Sequence, residues 1–139
     1  MNGAGTAYFG RRYLLSASHR LHSEVLSPEA NRNAYGKCNN PRGHGHNYVV
    51  EVLVGGAVNP ETGMVIDLAA LDRVVVSRVL QRFDHANLNF DPLFAEQVPT
   101  TENLCRAILS LLQDALPGGN LQYVRVEETE SNFFQCYGA

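Results

Sequence analysis

The sequence predicts an α+β sandwich, a four-stranded antiparallel sheet with two helices on one face. Three observations carry that expectation: apolar alternation of period two toward both ends of the chain, helical spacing confined to its middle, and turn-forming clusters between them. The order strand, strand, helix, helix, strand, strand needs no strand-helix-strand crossover.

The first strand is read from Ala7 to Leu21, where Tyr8, Phe9, Tyr13, Leu14 and Leu15 supply β-favouring bulk. Ser23 to Lys37 is polar, and Ser27 before Pro28 and Glu29 suits the cap and first turn of one short helix. Asn39-Asn40-Pro41-Arg42-Gly43 is a cluster of turn formers. A second strand follows from His44 to Val58, with Tyr48, Val50, Val52 and Val54 on one face. After a turn over Asn59 to Gly63, Asp67 caps a helix on which Leu68, Leu71, Val75 and Val79 repeat at helical spacing to Phe83.

Asp84 to Pro99 has the composition of a loop. Thr100 then caps a second long helix to Leu116, with Glu102 in its first turn, and Pro117 to Asn120 stops it. Two short strands close the chain, Leu121 to Thr129 and Phe133 to Tyr137, joined by Glu130-Ser131-Asn132. A four-stranded sheet leaves open edges, and the apolar last strand suggests edge-to-edge assembly of subunits.

The chain of 139 residues reads as a single domain over 1–139, with 1–6 a flexible N-terminus. No segment is apolar enough to span a membrane, and no signal peptide is recognisable, so a cytoplasmic protein is expected. A net charge of −3, with basic residues scattered, leaves no footprint for nucleic acid or anionic lipid. Three widely spaced cysteines, Cys38, Cys105 and Cys136, fit neither a disulfide framework nor paired zinc thiolates.

Chemistry concentrates around the histidines. His44 and His46, separated by one residue at the start of a strand, point to the same face. Antiparallel pairing brings His19, at the end of the first strand, beside them. Three histidines without a thiolate have the composition of a catalytic zinc site whose fourth position is left for water or substrate; an isolated His-Gly-His is otherwise a surface pair or turn. Cys38 lies across the turn from His44, where a nearby dication would lower its pKa and make it a proton acceptor; a fourth zinc ligand or an inert buried thiol are the other readings. Asp84-His85 suits a proton relay or an ordinary loop. Alternation puts Glu128 and Glu130 on one face and Glu127 on the other, so one carboxylate faces inward, able to accept from an amino group and an adjacent ring N–H, or all three form a solvated rim. His22 is read as a surface residue.

Several motifs taken together resemble the 6-pyruvoyl-tetrahydropterin synthase family. They are Ala17 with His19, the run Gly36-Lys37-Cys38-Asn39-Asn40-Pro41-Arg42-Gly43-His44-Gly45-His46-Asn47-Tyr48, Thr62-Gly63-Met64-Val65, Asp84-His85-Ala86-Asn87-Leu88, Thr100-Thr101-Glu102-Asn103 and Glu128-Thr129. The resemblance implies a tunnelling fold (T-fold), with three subunits closing a β-barrel and two trimers forming a hexamer with active sites at subunit interfaces. It implies Zn2+ on His19, His44 and His46, Cys38 as proton acceptor, and Asp84 with His85 as a relay reaching across a subunit boundary. Glu128 is implied as the pterin anchor and a catalytic residue, with Thr100 and Thr101 lining its pocket.

The implied reaction is zinc-dependent conversion of the pterin triphosphate 7,8-dihydroneopterin triphosphate to 6-pyruvoyl-tetrahydropterin and triphosphate. Arg20, Lys37 and Arg42 are close in sequence to the site as candidate phosphate ligands. Alternatives are 6-carboxy-tetrahydropterin synthase, whose members have a shorter loop between the cysteine and the His-Gly-His, and a non-catalytic pterin- or zinc-binding assembly protein.

Overall fold

The computed structural model describes residues 5–116 and 120–138, so the expected flexible start, as far as residue 4, and most of the expected helix stop lie outside the described residues. Two long strands, β1 (Thr6–His19) and β2 (His44–Ala57), pair antiparallel along their whole length, from Thr6 opposite Ala57 to His19 opposite His44. On the other side of β2 follow β4 (Asn120–Glu127) and β5 (Phe133–Tyr137), both antiparallel to their neighbours. The α+β class and the four main strands are as the sequence predicts.

A fifth strand is added. β3 (Ala86–Asn87) pairs parallel with Ala17 and Ser18 at the outer edge of β1, so the order is β3-β1-β2-β4-β5 and the sheet is mixed. Composition marks residues 84–99 as loop because two ladder residues leave no alternation to read. Their pairing depends on a tertiary contact, the docking of Asp84 and His85 against Ser16: Ser16 N–H donates to Asp84 Oδ1 at 2.9 Å and His85 N–H to the Ser16 carbonyl at 2.5 Å.

Helix α1 (Pro28–Tyr35) begins at Ser27, whose side chain accepts from Ala30 N–H, and a 3₁₀ turn over Gly36–Asn39 follows it. Helix α2 (Leu68–Val75) is capped by the Asp67 carboxylate and continues through a π-helical turn, Val76–Leu80, into α3 (Gln81–Phe83). The wide turn has a physical reason in the spacing. Leu71, Val75, Val79 and Phe83 recur every four residues, and each step overshoots an α-helical turn by about 40°, which five-residue hydrogen bonding corrects. All four side chains are fully buried.

Helix α4 (Thr101–Gln113) starts at the Thr100 cap, as expected, but ends three residues before the predicted Leu116. Residues leading into Pro117 are biased away from helical backbone. The helices cover one face of the sheet, where Leu15, Val50, Val52, Val54, Val124 and Val126 meet Leu71, Leu104, Ile108 and Leu112. The opposite face is mixed: Glu51 accepts there from Arg12 Nε and the Tyr123 hydroxyl, and Tyr8 and Leu14 are exposed on it. Phe133 and Tyr137 on edge strand β5 are exposed. Among the described residues no helix is long and apolar enough to cross a membrane.

Candidate metal and active site

The strand register sets His19 opposite His44 and Ala17 opposite His46. Alternation sends all three imidazoles from the helix-covered face, in line with Tyr48, Val50 and Val52. His44 Nε2 lies 3.2 Å from His19 Nε2 and 3.0 Å from His46 Nε2. A tetrahedral ion bound at about 2.0–2.1 Å separates its nitrogen ligands by about 3.4 Å, close to these spacings. Gly43 permits the approach: its φ is +71°, and a Cβ there would lie 2.8 Å from the His19 carbonyl oxygen.

Local bonding prepares the nitrogens. His19, almost fully buried, donates from Nδ1 to the Pro99 carbonyl at 2.8 Å, which leaves the Nε2 lone pair directed at the cluster. Burial lowers the pKa of His19, with the Pro99 bond opposing it, and burial likewise lowers that of His46 against the pull of Glu128. Neutral rings are the form that binds a cation. Three converging imidazoles, one of fixed tautomer, fit a zinc-type ion, and they are positioned to hold a metal.

Glu128 turns inward, whereas Glu130 is exposed and Glu127 lies near Arg125. The shared face expected for Glu128 and Glu130 does not persist, because β4 ends at Glu127 and Glu128 N–H already bonds the Asn132 carbonyl across the turn. Glu128 Oε2 is 3.9 Å from His46 Nε2 and accepts a short hydrogen bond from the buried Thr101 hydroxyl. Thr100 is separate: its hydroxyl accepts from Asn103 N–H as the helix cap.

Cys38 is partly buried in the 3₁₀ turn, and its carbonyl accepts from Leu21 N–H at 2.8 Å, fastening the turn to the chain just after His19. Cys38 and His44 line one cleft. Burial first, and Glu128 second, push the thiol up rather than down. The lowered pKa expected from the sequence therefore depends on a bound cation, which opposes both effects.

Asp84 and His85 are not among the clustered candidate metal ligands. They dock on the outer edge of β1, and His85 lines a cleft with Ser16, Ser18, Asn47 and Asn87 that His46 of the cluster also borders. His85 holds a left-handed φ of 59°, its side chain is 82% exposed, and its Nε2 is 3.6 Å from Asp84 Oδ2. A non-glycine residue in this region costs about 1–3 kcal/mol, sustained here by the Ser16 bonds.

Tyr48 was not singled out by sequence reasoning. It is fully buried, with its hydroxyl 3.4 Å from His19 Nδ1 and interacting with Thr101. Its signal was its place two residues after His46 on the same face. His22 is less of a surface residue than its sequence suggests: its side chain is 23% exposed and Asn39 Nδ2 lies 3.0 Å from its Nδ1.

Comparison with known proteins gives consistent results. The family model described as 6-pyruvoyl tetrahydropterin synthase matches residues 9–139. The chain is 50% identical over 127 residues to human 6-pyruvoyl tetrahydrobiopterin synthase, covering 91% of this chain and 88% of that one. It is 48% identical over 126 residues to the Poecilia reticulata protein of the same name, covering 90% and 86%. The solved structure of Caenorhabditis elegans 6-pyruvoyl tetrahydropterin synthase superposes with a TM-score of 0.92 at 41% identity, covering 100% of both chains.

Proposed function

The chain belongs to the 6-pyruvoyl tetrahydropterin synthase family, and from that membership we propose that it is a zinc-dependent lyase converting 7,8-dihydroneopterin triphosphate to 6-pyruvoyl-tetrahydropterin and inorganic triphosphate in the cytoplasm. The observation that carries the reading is the convergence of His19, His44 and His46 with a carboxylate on one side and a thiol-bearing cleft on the other. Held by the three imidazoles, zinc would supply Lewis acidity to the substrate's side-chain hydroxyls.

The remaining work falls to the chain's own groups. Glu128 accepts from the pterin amino group and the adjacent ring N–H, and Thr101 orients it. Cys38 takes a proton from the substrate side chain, and its cost of ionisation falls when the site carries positive charge. The ring is reduced as the side chain is oxidised while triphosphate leaves, so no external reductant enters.

Asp84 and His85 move protons in a neighbouring subunit's site. Their position at the outer edge of β1, with an exposed imidazole, supports that assignment. Closure of three subunits into a β-barrel and stacking into a hexamer would cover the exposed Phe133 and Tyr137 edge.

The test removes one contribution at a time. Chelation should abolish turnover and zinc should restore it. Cys38→Ala should keep its zinc while turnover falls by about a hundredfold or more. Undiminished turnover after complete metal removal, or in Cys38→Ala, would contradict the reading.

A further inference from the structure

A cleft of about 710 Å³ opens beside the histidine cluster, between the chain after β1, helix α1 and the 3₁₀ turn. Arg20, Arg32 and Lys37 line it together with Cys38 and His44, and no Asp or Glu does. This is unusual for a chain of net charge −3. Elsewhere Arg11 pairs with Asp72, Arg12 with Glu51, Arg82 with Asp91 and Arg125 with Glu127, whereas Arg42, Arg73, Arg78 and Arg106, none of which lines this cleft, form no ion pair among the described residues. Among the described residues, Arg20, Arg32 and Lys37 have no carboxylate partner. Gathered cations repel one another, and a polyanion in the cleft relieves that repulsion.

The frame of the cleft is built. Arg20 Nε donates to the Asn39 carbonyl at 3.1 Å, and its backbone exchanges hydrogen bonds with the Asn89 side chain. Helix α1 is fixed by the fully buried Asn31, which accepts from Ser23 N–H and donates to the Ser23 and Ser27 carbonyls. Arg32 is the next residue, so its place over the cleft follows from that anchor.

Resting on the function proposed above, we infer that this cleft holds the triphosphate tail of the substrate, with Arg32 and Lys37 joining Arg20 as phosphate ligands. The polarity of the site agrees. Glu128 lies by His46 at one side of the cluster, suited to the amino-bearing ring. The cations lie by Cys38 and His44 at the other, suited to phosphates. The sequence neighbour Arg42 does not line the cleft, and Arg32, ten residues before it, does.

The test combines kinetics with binding of inorganic tripolyphosphate and of neopterin, which carries the ring without phosphates. Zinc content is followed throughout, since tripolyphosphate chelates the metal. Arg32→Ala should raise KM for dihydroneopterin triphosphate about five- to tenfold with kcat little changed, and weaken tripolyphosphate binding in proportion. Arg32→Glu should weaken both further, Arg32→Lys should recover part of the loss, and neopterin affinity should stay within about twofold. Arg106→Ala, an exposed site on α4, serves as the charge control. Unchanged KM and tripolyphosphate affinity in Arg32→Glu, or an equal loss of neopterin affinity, would overturn the inference. Tripolyphosphate binding that Arg32→Glu abolishes, in a protein that never turns over the pterin, would instead uphold the anion cleft and refute the proposed reaction.

Discussion

The helix-covered face of β1 and β2 has two ends of opposite character. At one end Val50, Val52 and Val54 are fully buried in the apolar core. At the other, the same alternation on the same strands presents His19, His44 and His46. The apolar end is held by shape and exclusion of water, which act without direction. The histidine end is held by individual bonds, His19 to Pro99 and Thr101 to Glu128. One periodicity thus builds both, and stability and chemistry separate along its length.

Substitutions at the two ends should therefore give different signatures. His46→Ala should have the largest effect, with zinc falling well below one per chain by elemental analysis and turnover dropping about a thousandfold or more. The variant should unfold at nearly the temperature of metal-free wild-type protein, since bound zinc itself stabilises the folded state. Full zinc after dialysis would mean that His46 is not a ligand. At the apolar end, Leu71→Ala should cost about 2–5 kcal/mol in denaturant unfolding, while the folded fraction keeps its zinc. Loss of metal in parallel with stability would deny the separation.

Glu128→Gln should weaken neopterin binding about tenfold by calorimetry, since a neutral amide cannot accept from both ring donors. Unchanged affinity would place the anchor elsewhere. The smallest effect is that of pH on the metal-free protein. His19 and His46 titrate below the ordinary value of 6.5 when folded, so the unfolded chain binds protons that the folded one refuses. Stability from these groups is complete above about 6.5 and declines as pH falls toward the lowered values. A melting temperature that rose on acidification through this range would contradict the assignment.

Much of this was legible in the sequence because it depends on local periodicity. The β1–β2 ladder, the Asp67 and Thr100 caps and the convergence of His19 on His44 and His46 follow from alternation and antiparallel pairing. What was not legible depends on docking. β3 exists because Asp84 and His85 bond Ser16, a contact 68 residues apart for the Asp84 bond. Arg32 reaches the cleft because Asn31 anchors α1, and no spacing rule links it to Cys38. That burial and Glu128 together push the Cys38 thiol up in the metal-free site is not legible either, because both act through the fold.

The central claim is that the histidine end of this sheet face carries out a specific pterin reaction. Mass spectrometry of the products formed from 7,8-dihydroneopterin triphosphate by the zinc-loaded protein tests it most directly. The account predicts 6-pyruvoyl-tetrahydropterin and inorganic triphosphate in equal amounts. Formation of 6-carboxy-tetrahydropterin with acetaldehyde, or recovery of unchanged substrate, would contradict it.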